Sequence, residues 1–282
     1  MINLKWIKID IEIEDSYKPP FFTGSMIRGV FGKALKSTVC INPSYNCTGC
    51  FCLNKCIYYD FFEEKNSYHQ YRIVSPLGQK ELKFSIYLYE NATNKLPYIL
   101  SAVKKALETV GVGKNNITPK IKSINIDGTN IYNGKEFLSL SNIKVNIFQN
   151  NQEYYSSVKL QFLLPLRIKQ QNRLSKDIEL HNIINSIHNR INQIKKEPPN
   201  RLGYKVEGYI FENSLKFLDL QRYSNRQKSY MKLGGLIGNI SIRGLDQKSY
   251  EYLKVGEIVG VGKQTVFGLG SYNLVGNASN FV

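Results

Sequence analysis

The sequence predicts an α+β protein made of two tandem βαββαβ units. Three observations predict it. Two-residue alternation and 3.6-residue periodicity take turns along the first half of the chain. The same succession returns after Tyr155. Pro19-Pro20, Pro198-Pro199 and several glycine clusters punctuate the periodic segments. The 282 residues suit two domains, at roughly 100–200 residues each. Hydrophobic residues at 42% and aromatics at 12% supply the cores and exclude a disordered or collagen-like chain.

Leu4 to Glu14 alternates through Leu4, Trp6, Ile7, Ile9, Ile11 and Ile13, which predicts a strand with one buried face. Gly24 to Val39 carries Met26, Ile27, Val30, Phe31, Ala34 and Leu35 on one stripe, which predicts an amphipathic helix. Arg28, Lys33 and Lys36 fall on its other face, with Gly29 and Gly32 between them. Such glycines cost about 1 kcal/mol each against alanine and suit a place where another backbone or helix comes close. Glu81 to Tyr89 is a strand, Pro97 opens a helix that runs to Val110, and Lys120 to Ile126 alternates again. In the second half Val158 to Leu166 is a strand and Asp177 to Ile194 a helix. The segments 206–211 and 236–242 are strands, Ser249 to Val255 is a short helix, and Val266 to Leu274 is the last strand. Each half fits a ferredoxin-like, RRM-like βαββαβ unit. The expected domains are residues 1–152, with a cysteine-rich insertion at 40–60, and residues 153–282, with a glycine-rich loop.

Charge points to the class of partner. Lys and Arg number 38 against 22 Asp and Glu, for a net charge of +16, and the pI is near 9.5. Residues 155–230 hold 14 Lys/Arg against 6 Asp/Glu. A domain this basic is expected to meet a polyanion, most often nucleic acid. No run approaches the ~18 apolar residues of a membrane span, and the N-terminus lacks the pattern of a signal peptide. The expectation is a soluble, cytoplasmic protein that binds no membrane.

All five cysteines lie within 17 residues: Cys40, Cys47, Cys50, Cys52 and Cys56. Cys47 and Cys50 have knuckle spacing, and Cys40 and Cys56 would complete four thiolate ligands. A structural zinc is expected there, with an iron–sulfur cluster as the alternative. Residues 256–270 are rich in glycine but are not a P-loop, because Gln264 follows Lys263 and no glycine lies five residues before Gly262. The loop precedes a strand rather than opening a helix, which argues against a dinucleotide site. Glycines such as Gly262, Gly268 and Gly270 let backbone N–H groups approach a phosphate.

Three ordered stretches carry a family resemblance. The glycine-rich segment Gly256…Gly262-Lys263…Phe267-Gly268-Leu269-Gly270 resembles that of the CRISPR-associated RAMP proteins. Arg222-Tyr223-Ser224-Asn225-Arg226-Gln227, followed by Met231-Lys232-Leu233-Gly234-Gly235-Leu236-Ile237-Gly238, is similar to the C-terminal domain of the CRISPR precursor-RNA processing endoribonucleases. Phe22-Thr23-Gly24-Ser25-Met26-Ile27-Arg28-Gly29-Val30-Phe31-Gly32, with the cysteines after it, resembles the start of the same family. The resemblance implies two ferredoxin-like domains facing each other across a basic cleft. It implies a metal-independent endoribonuclease that cuts CRISPR repeat RNA to guide crRNAs by 2′-OH attack, leaving a 5′-hydroxyl and a cyclic phosphate. It implies no cofactor for catalysis, a repeat-RNA or crRNA partner, an effector complex in some members, and a monomer or homodimer. A noncatalytic RNA-binding RAMP subunit is the alternative.

Metal-free RNA cleavage needs an in-line 2′-oxygen, a proton acceptor and cations for the phosphorane charge. The family often places a histidine near the first helix. Here the three histidines are His69, His181 and His188, and none lies between residues 15 and 40. His69, Arg28, Lys33, Lys36 and Tyr17 are the catalytic candidates, with Arg28 and Lys36 leading for phosphate stabilisation. Arg222, Arg226 and Lys263 are the candidate phosphate contacts, arginine being suited to bidentate ones.

Overall fold

A computed structural model describes residues 2–14, 17–65, 68–149, 154–170, 173–224 and 229–276. The chain divides into two compact units, Leu4–Ile147 and Phe148–Val282 with Met1–Asn3. Among the described residues no helix is long and apolar enough to cross a membrane.

The N-terminal unit runs β1 (Lys5–Ile13), α1 (Gly24–Val39), β2 (Tyr71–Val74), β3 (Lys83–Tyr89), α2 (Leu96–Lys105), β4 (Ile121–Ile126), β5 (Thr129–Tyr132) and β6 (Asn146–Ile147). Its sheet has the order β2-β3-β1-β4-β5, with β6 beside the start of β1. β1 lies antiparallel to β3 and β4, pairing Ile9 with both Ile86 and Ile126. Strict alternation puts Ile7, Ile9, Ile11 and Ile13 on one face, where the apolar stripes of α1 and α2 cover them. Each fully buried isoleucine contributes about 1.5–3 kcal/mol relative to an exposed one.

The C-terminal unit runs β7 (Val158–Leu166), β8 (Lys169–Gln170), β9 (Arg173–Leu174), α3 (Leu180–Ile194), β10 (Tyr209–Asn213), β11 (Lys216–Leu218), β12 (Gln221–Ser224), β13 (Ser229–Lys232), β14 (Gly235–Arg243), α4 (Gln247–Val259) and β15 (Tyr272–Gly276). The main sheet has the order β10-β14-β7-β15, and β11 also pairs with β14. β7, β14, β10 and β15 thus take the neighbours that β1, β3, β2 and β4 take in the first unit. β8–β9 and β12–β13 are separate two-stranded ribbons.

Several elements depart from the sequence expectation for physical reasons. β2 has only four residues with a charge, Arg72, inside it, so no alternation announced it. α4 is longer than expected at 13 residues, because Gly256 is a contact residue rather than a stop. A Cβ there would lie 2.6 Å from Ile187 Cδ1 of α3 and overlap the Tyr272 hydroxyl. The last strand starts at Tyr272, not Val266, because Thr265–Phe267 is a 3₁₀ turn followed by Gly268 and Gly270 at positive φ. The Arg222 motif is a β-ribbon, with Arg222 opposite Met231.

α4 begins at a side-chain cap. Asp246 accepts hydrogen bonds from Ser249 N at 2.8 Å and Ser249 Oγ at 2.7 Å. Partial burial raises the Asp246 pKa, but these bonds and the backbone N–H groups of Glu207 and Lys248 outweigh it and hold the carboxyl below its ordinary range. A depressed carboxyl pKa stabilises the fold above the unfolded value, and that stability is lost as pH falls through the folded value. Asp246→Ala is therefore expected to cost about 1 kcal/mol at pH 7. In urea titrations its difference from wild type should begin to shrink as pH drops below the ordinary carboxyl pKa of about 3.9 and go on shrinking down to the depressed folded value.

Candidate functional site

In the N-terminal unit the site grows around a buried phenol. Tyr71 opens β2 and is fully buried against Phe61, ring to ring at 4.2 Å and 17°. A buried hydroxyl needs a partner. Arg28 supplies it from α1, donating Nε–H to Tyr71 Oη at 2.8 Å. The same guanidinium donates from Nη2 to the Phe61 carbonyl at 3.3 Å and lies 4.6 Å from the Phe62 ring centre. Burial raises the Tyr71 pKa, and Arg28 acts against that rise. Gly32, one turn along α1, is where the Phe62 ring enters: a Cβ would lie 2.6 Å from Phe62 Cε1. Gly29 faces open space instead.

His69 sits beside this cluster, 5.9 Å from the Tyr71 ring. Its Nδ1 is 2.8 Å from the Asp60 carbonyl oxygen. A carbonyl only accepts, so Nδ1 carries a proton and Nε2 is the basic atom of the neutral ring. Lys33 is exposed on α1. Lys36 lies half-buried with Nζ 5.0 Å from the Tyr58 ring centre. Burial and the hydrogen bond to Glu63 push Tyr58 well above the phenol range, so it stays protonated. The structure thus brings Arg28, His69 and Tyr71 together, with Lys36 beside Tyr58 and Phe62 stacked on it. Tyr17 does not join them. It is buried in the core with its hydroxyl on Met26 Sδ at 3.1 Å, and burial raises its pKa. Tyr17 packs in the hydrophobic core of the N-terminal unit.

Among the described residues no three His, Cys, Asp or Glu side chains form a group able to hold a metal, and all five cysteines are free thiols. The four-thiolate set of Cys40, Cys47, Cys50 and Cys56 is not formed. Cys40 instead points its thiol at the Asn42 carbonyl, and burial raises the Cys47 pKa although Lys36 lowers it. The loop is shaped by Asn42 and Asn46 turns and by a 3₁₀ turn at Leu53–Lys55.

The C-terminal unit holds the glycine-rich turn, and its N–H groups point inward. Gly262 N donates to Ser186 Oγ at 2.8 Å, Lys263 N to the Arg167 carbonyl at 2.8 Å, Gly268 N to Thr265 O and Gly270 N to Pro165 O. A Cβ at Gly262 or Gly270, both at positive φ, would collide with the Arg167 or Val261 carbonyl. These glycines let the turn collapse onto neighbouring backbone, so they do not offer their N–H groups as the expected phosphate cradle. Lys263 and Gln264 are the exposed tip. Arg222 lies with Cζ 4.8 Å from the Phe267 ring centre and Nη2 3.1 Å from Met231 Sδ, joining the β12–β13 ribbon to the turn. Tyr223 and Tyr230 pair edge to face on the exposed side of that ribbon. Arg226 lies outside the described residues. His188 is held by Tyr252 Oη and Asn200 Oδ1, while His181 is exposed at the start of α3. Sequence reasoning missed Tyr71, Arg167 and Ser186. Tyr71 was the one with a signal, since it lies two residues after His69.

The arrangement is that of an α+β protein of two units with like-ordered sheets and a glycine-rich turn before the last strand. Residues 160–272, from β7 to β15, match the family model of the CRISPR-associated endoribonuclease Cas6. Residues 2–146 match the model AF_1859_N, described as an N-terminal domain. The AF_1859_N match spans just over half of the chain, so the chain belongs to the family of that N-terminal domain, and its C-terminal unit is similar to Cas6. An uncharacterized protein of Archaeoglobus fulgidus is 23% identical over 97% of this chain and 98% of its own. Thermus thermophilus Cas6 shares the fold at TM-score 0.54 and 12% identity, over 98% of this chain and 100% of that one. A Cas6 product complex does so at 0.56 and 12%, over 96% and 99%. A partial Cas6-RT-Cas1–Cas2 complex aligns at 0.55 and 13% over 99% of this chain, which spans 47% of that chain.

Arg28→Ala leaves the Tyr71 hydroxyl without its guanidinium and is expected to destabilise by about 1–3 kcal/mol. Adding Tyr71→Phe removes the stranded hydroxyl and should recover most of that loss in a denaturant double-mutant cycle.

Proposed function

We propose that this chain cuts CRISPR repeat RNA in a precursor transcript to release guide crRNAs, by metal-independent attack of a ribose 2′-oxygen on the adjacent phosphorus. The observation that carries the reading is the convergence of His69, Tyr71 and Arg28 in a chain whose residues 160–272 match the Cas6 family model. His69 Nε2 takes the 2′-OH proton, the 2′-oxygen bonds to phosphorus, and the bond to the 5′-oxygen breaks. That leaving oxygen gains a proton from water. The products carry a 2′,3′-cyclic phosphate and a 5′-hydroxyl. Lys33 and Lys36 offset the phosphorane charge, and Arg28 holds Tyr71 and Phe62 so that the wall beside His69 is fixed. Lys263 and Arg222 grip phosphates in the C-terminal unit, Tyr223 and Tyr230 supply ring faces for unpaired bases, and both units are ferredoxin-like repeats. A relative that forms part of a Cas6-RT-Cas1–Cas2 complex supports a CRISPR partner as well as the RNA.

The second reading, a noncatalytic RNA-binding subunit, is favoured by one observation: α1 carries no histidine. Labelled repeat RNA incubated in EDTA, beside the same RNA with one 2′-deoxy sugar at the cut site, separates the two. Cleavage of the first and not the second is the expected outcome. Tight binding with neither RNA cut, from pH 5 to 9, would establish the noncatalytic subunit. Because phosphate contacts release counterions, log affinity is expected to fall linearly with log salt, by about 0.7 per phosphate contacted on a single strand.

A further inference from the structure

We infer that Ser186 and Arg190 of α3 are positioning residues that fix Lys263, the exposed cation of the glycine-rich turn, for contact with an RNA phosphate. The inference rests on the RNA reading above and concerns how the chain presents that cation. Ser186 and Arg190 are four residues apart and so share one face of α3. They hold the two ends of the segment 259–262. Arg190, 2% exposed, donates Nε–H to the Val259 carbonyl at 2.8 Å. That carbonyl lies at the C-terminal end of α4, where a guanidinium also complements the helix dipole. Ser186 Oγ accepts the Gly262 N–H at 2.8 Å.

Past this bracket the chain has little freedom. Gly262 bridges to Arg167 in parallel fashion, and Lys263 N donates to the Arg167 carbonyl. On the far side Val261 N donates to Gly270 O and Gly270 N to Pro165 O. α3 and the end of β7 therefore hold the turn, and the Val261–Gly270 bond closes it on itself. Val261 is buried, Gly262 is half-buried, and Lys263 and Gln264 emerge into solvent. An exposed lysine on a fixed backbone has less conformational freedom to lose when it meets a phosphate. A bracket made only for stability could be apolar. Here both members bond the backbone of the segment that leads to the cation.

The test is a double-mutant cycle on the full chain, with labelled single-stranded repeat RNA as probe. Ser186→Ala is expected to weaken RNA binding about 3- to 10-fold and to flatten its salt dependence. In a Lys263→Ala background the same substitution should change neither. It should lower Tm by the same amount in both backgrounds, which separates positioning from stability. Ser186→Thr, which keeps the hydroxyl, should restore wild-type binding. Equal weakening by Ser186→Ala with and without Lys263, or no weakening, overturns the bracket while leaving the RNA reading intact. Wild-type protein that does not bind the RNA, or Lys263→Ala that binds as wild type does, overturns the phosphate role of the turn and the bracket with it.

Discussion

The Tyr71 hydroxyl is fully buried, and the order of the N-terminal site follows from satisfying it. Left unbonded, it would cost about 1–3 kcal/mol. Arg28 bonds it at 2.8 Å and is thereby drawn off the open face of α1. The guanidinium then fixes Phe61 and Phe62, Gly32 makes room for the Phe62 ring, and the ring cluster walls His69. A residue expected to touch phosphate is instead the post that holds the wall. Lys33, one and a half turns along the helix, remains at the surface. The division of labour is physical: a planar fork with five donors suits a buried phenol and carbonyl, whereas a flexible ammonium suits a solvated phosphate.

The C-terminal unit obeys a constraint of the same kind. Its turn closes because Gly262 and Gly270 lack side chains where the Arg167 and Val261 carbonyls stand. Collapse engages the turn's N–H groups internally and leaves a side chain, not the backbone, to face solvent. A glycine-rich segment can therefore serve an anion without forming a nest of amides.

The sheets and helices were legible where periodicity was long. The isoleucine alternation of β1 and the stripe of α1 appear in the structure as read, because one face of each is buried and the other is not. β2 was not legible, since four residues around a buried arginine carry no period. The glycines of α4 and of the last turn misled for one reason: glycine marks both chain breaks and close contacts, and only coordinates tell Gly256 beside Ile187 from a helix stop. At the site, the residue types were legible and the pairings were not. The sequence places Arg28 and Tyr71 far apart, and nothing in either neighbourhood announces their bond. The cysteine spacing suggests a metal, and spacing alone does not report where each thiol points, as Cys40 does to the Asn42 carbonyl.

His69 is proposed as the proton acceptor of an RNA-cutting site walled by Tyr71 and Arg28. The most direct test is the single-turnover rate of repeat-RNA cleavage from pH 5 to 9 for wild type and His69→Gln, with RNA affinity measured alongside. The wild-type rate is expected to rise with pH as the His69 imidazole loses its proton. His69→Gln should lose that rise and at least a hundredfold in rate, about the contribution of general base catalysis, at unchanged affinity. The same rate and the same pH profile in both proteins would contradict it.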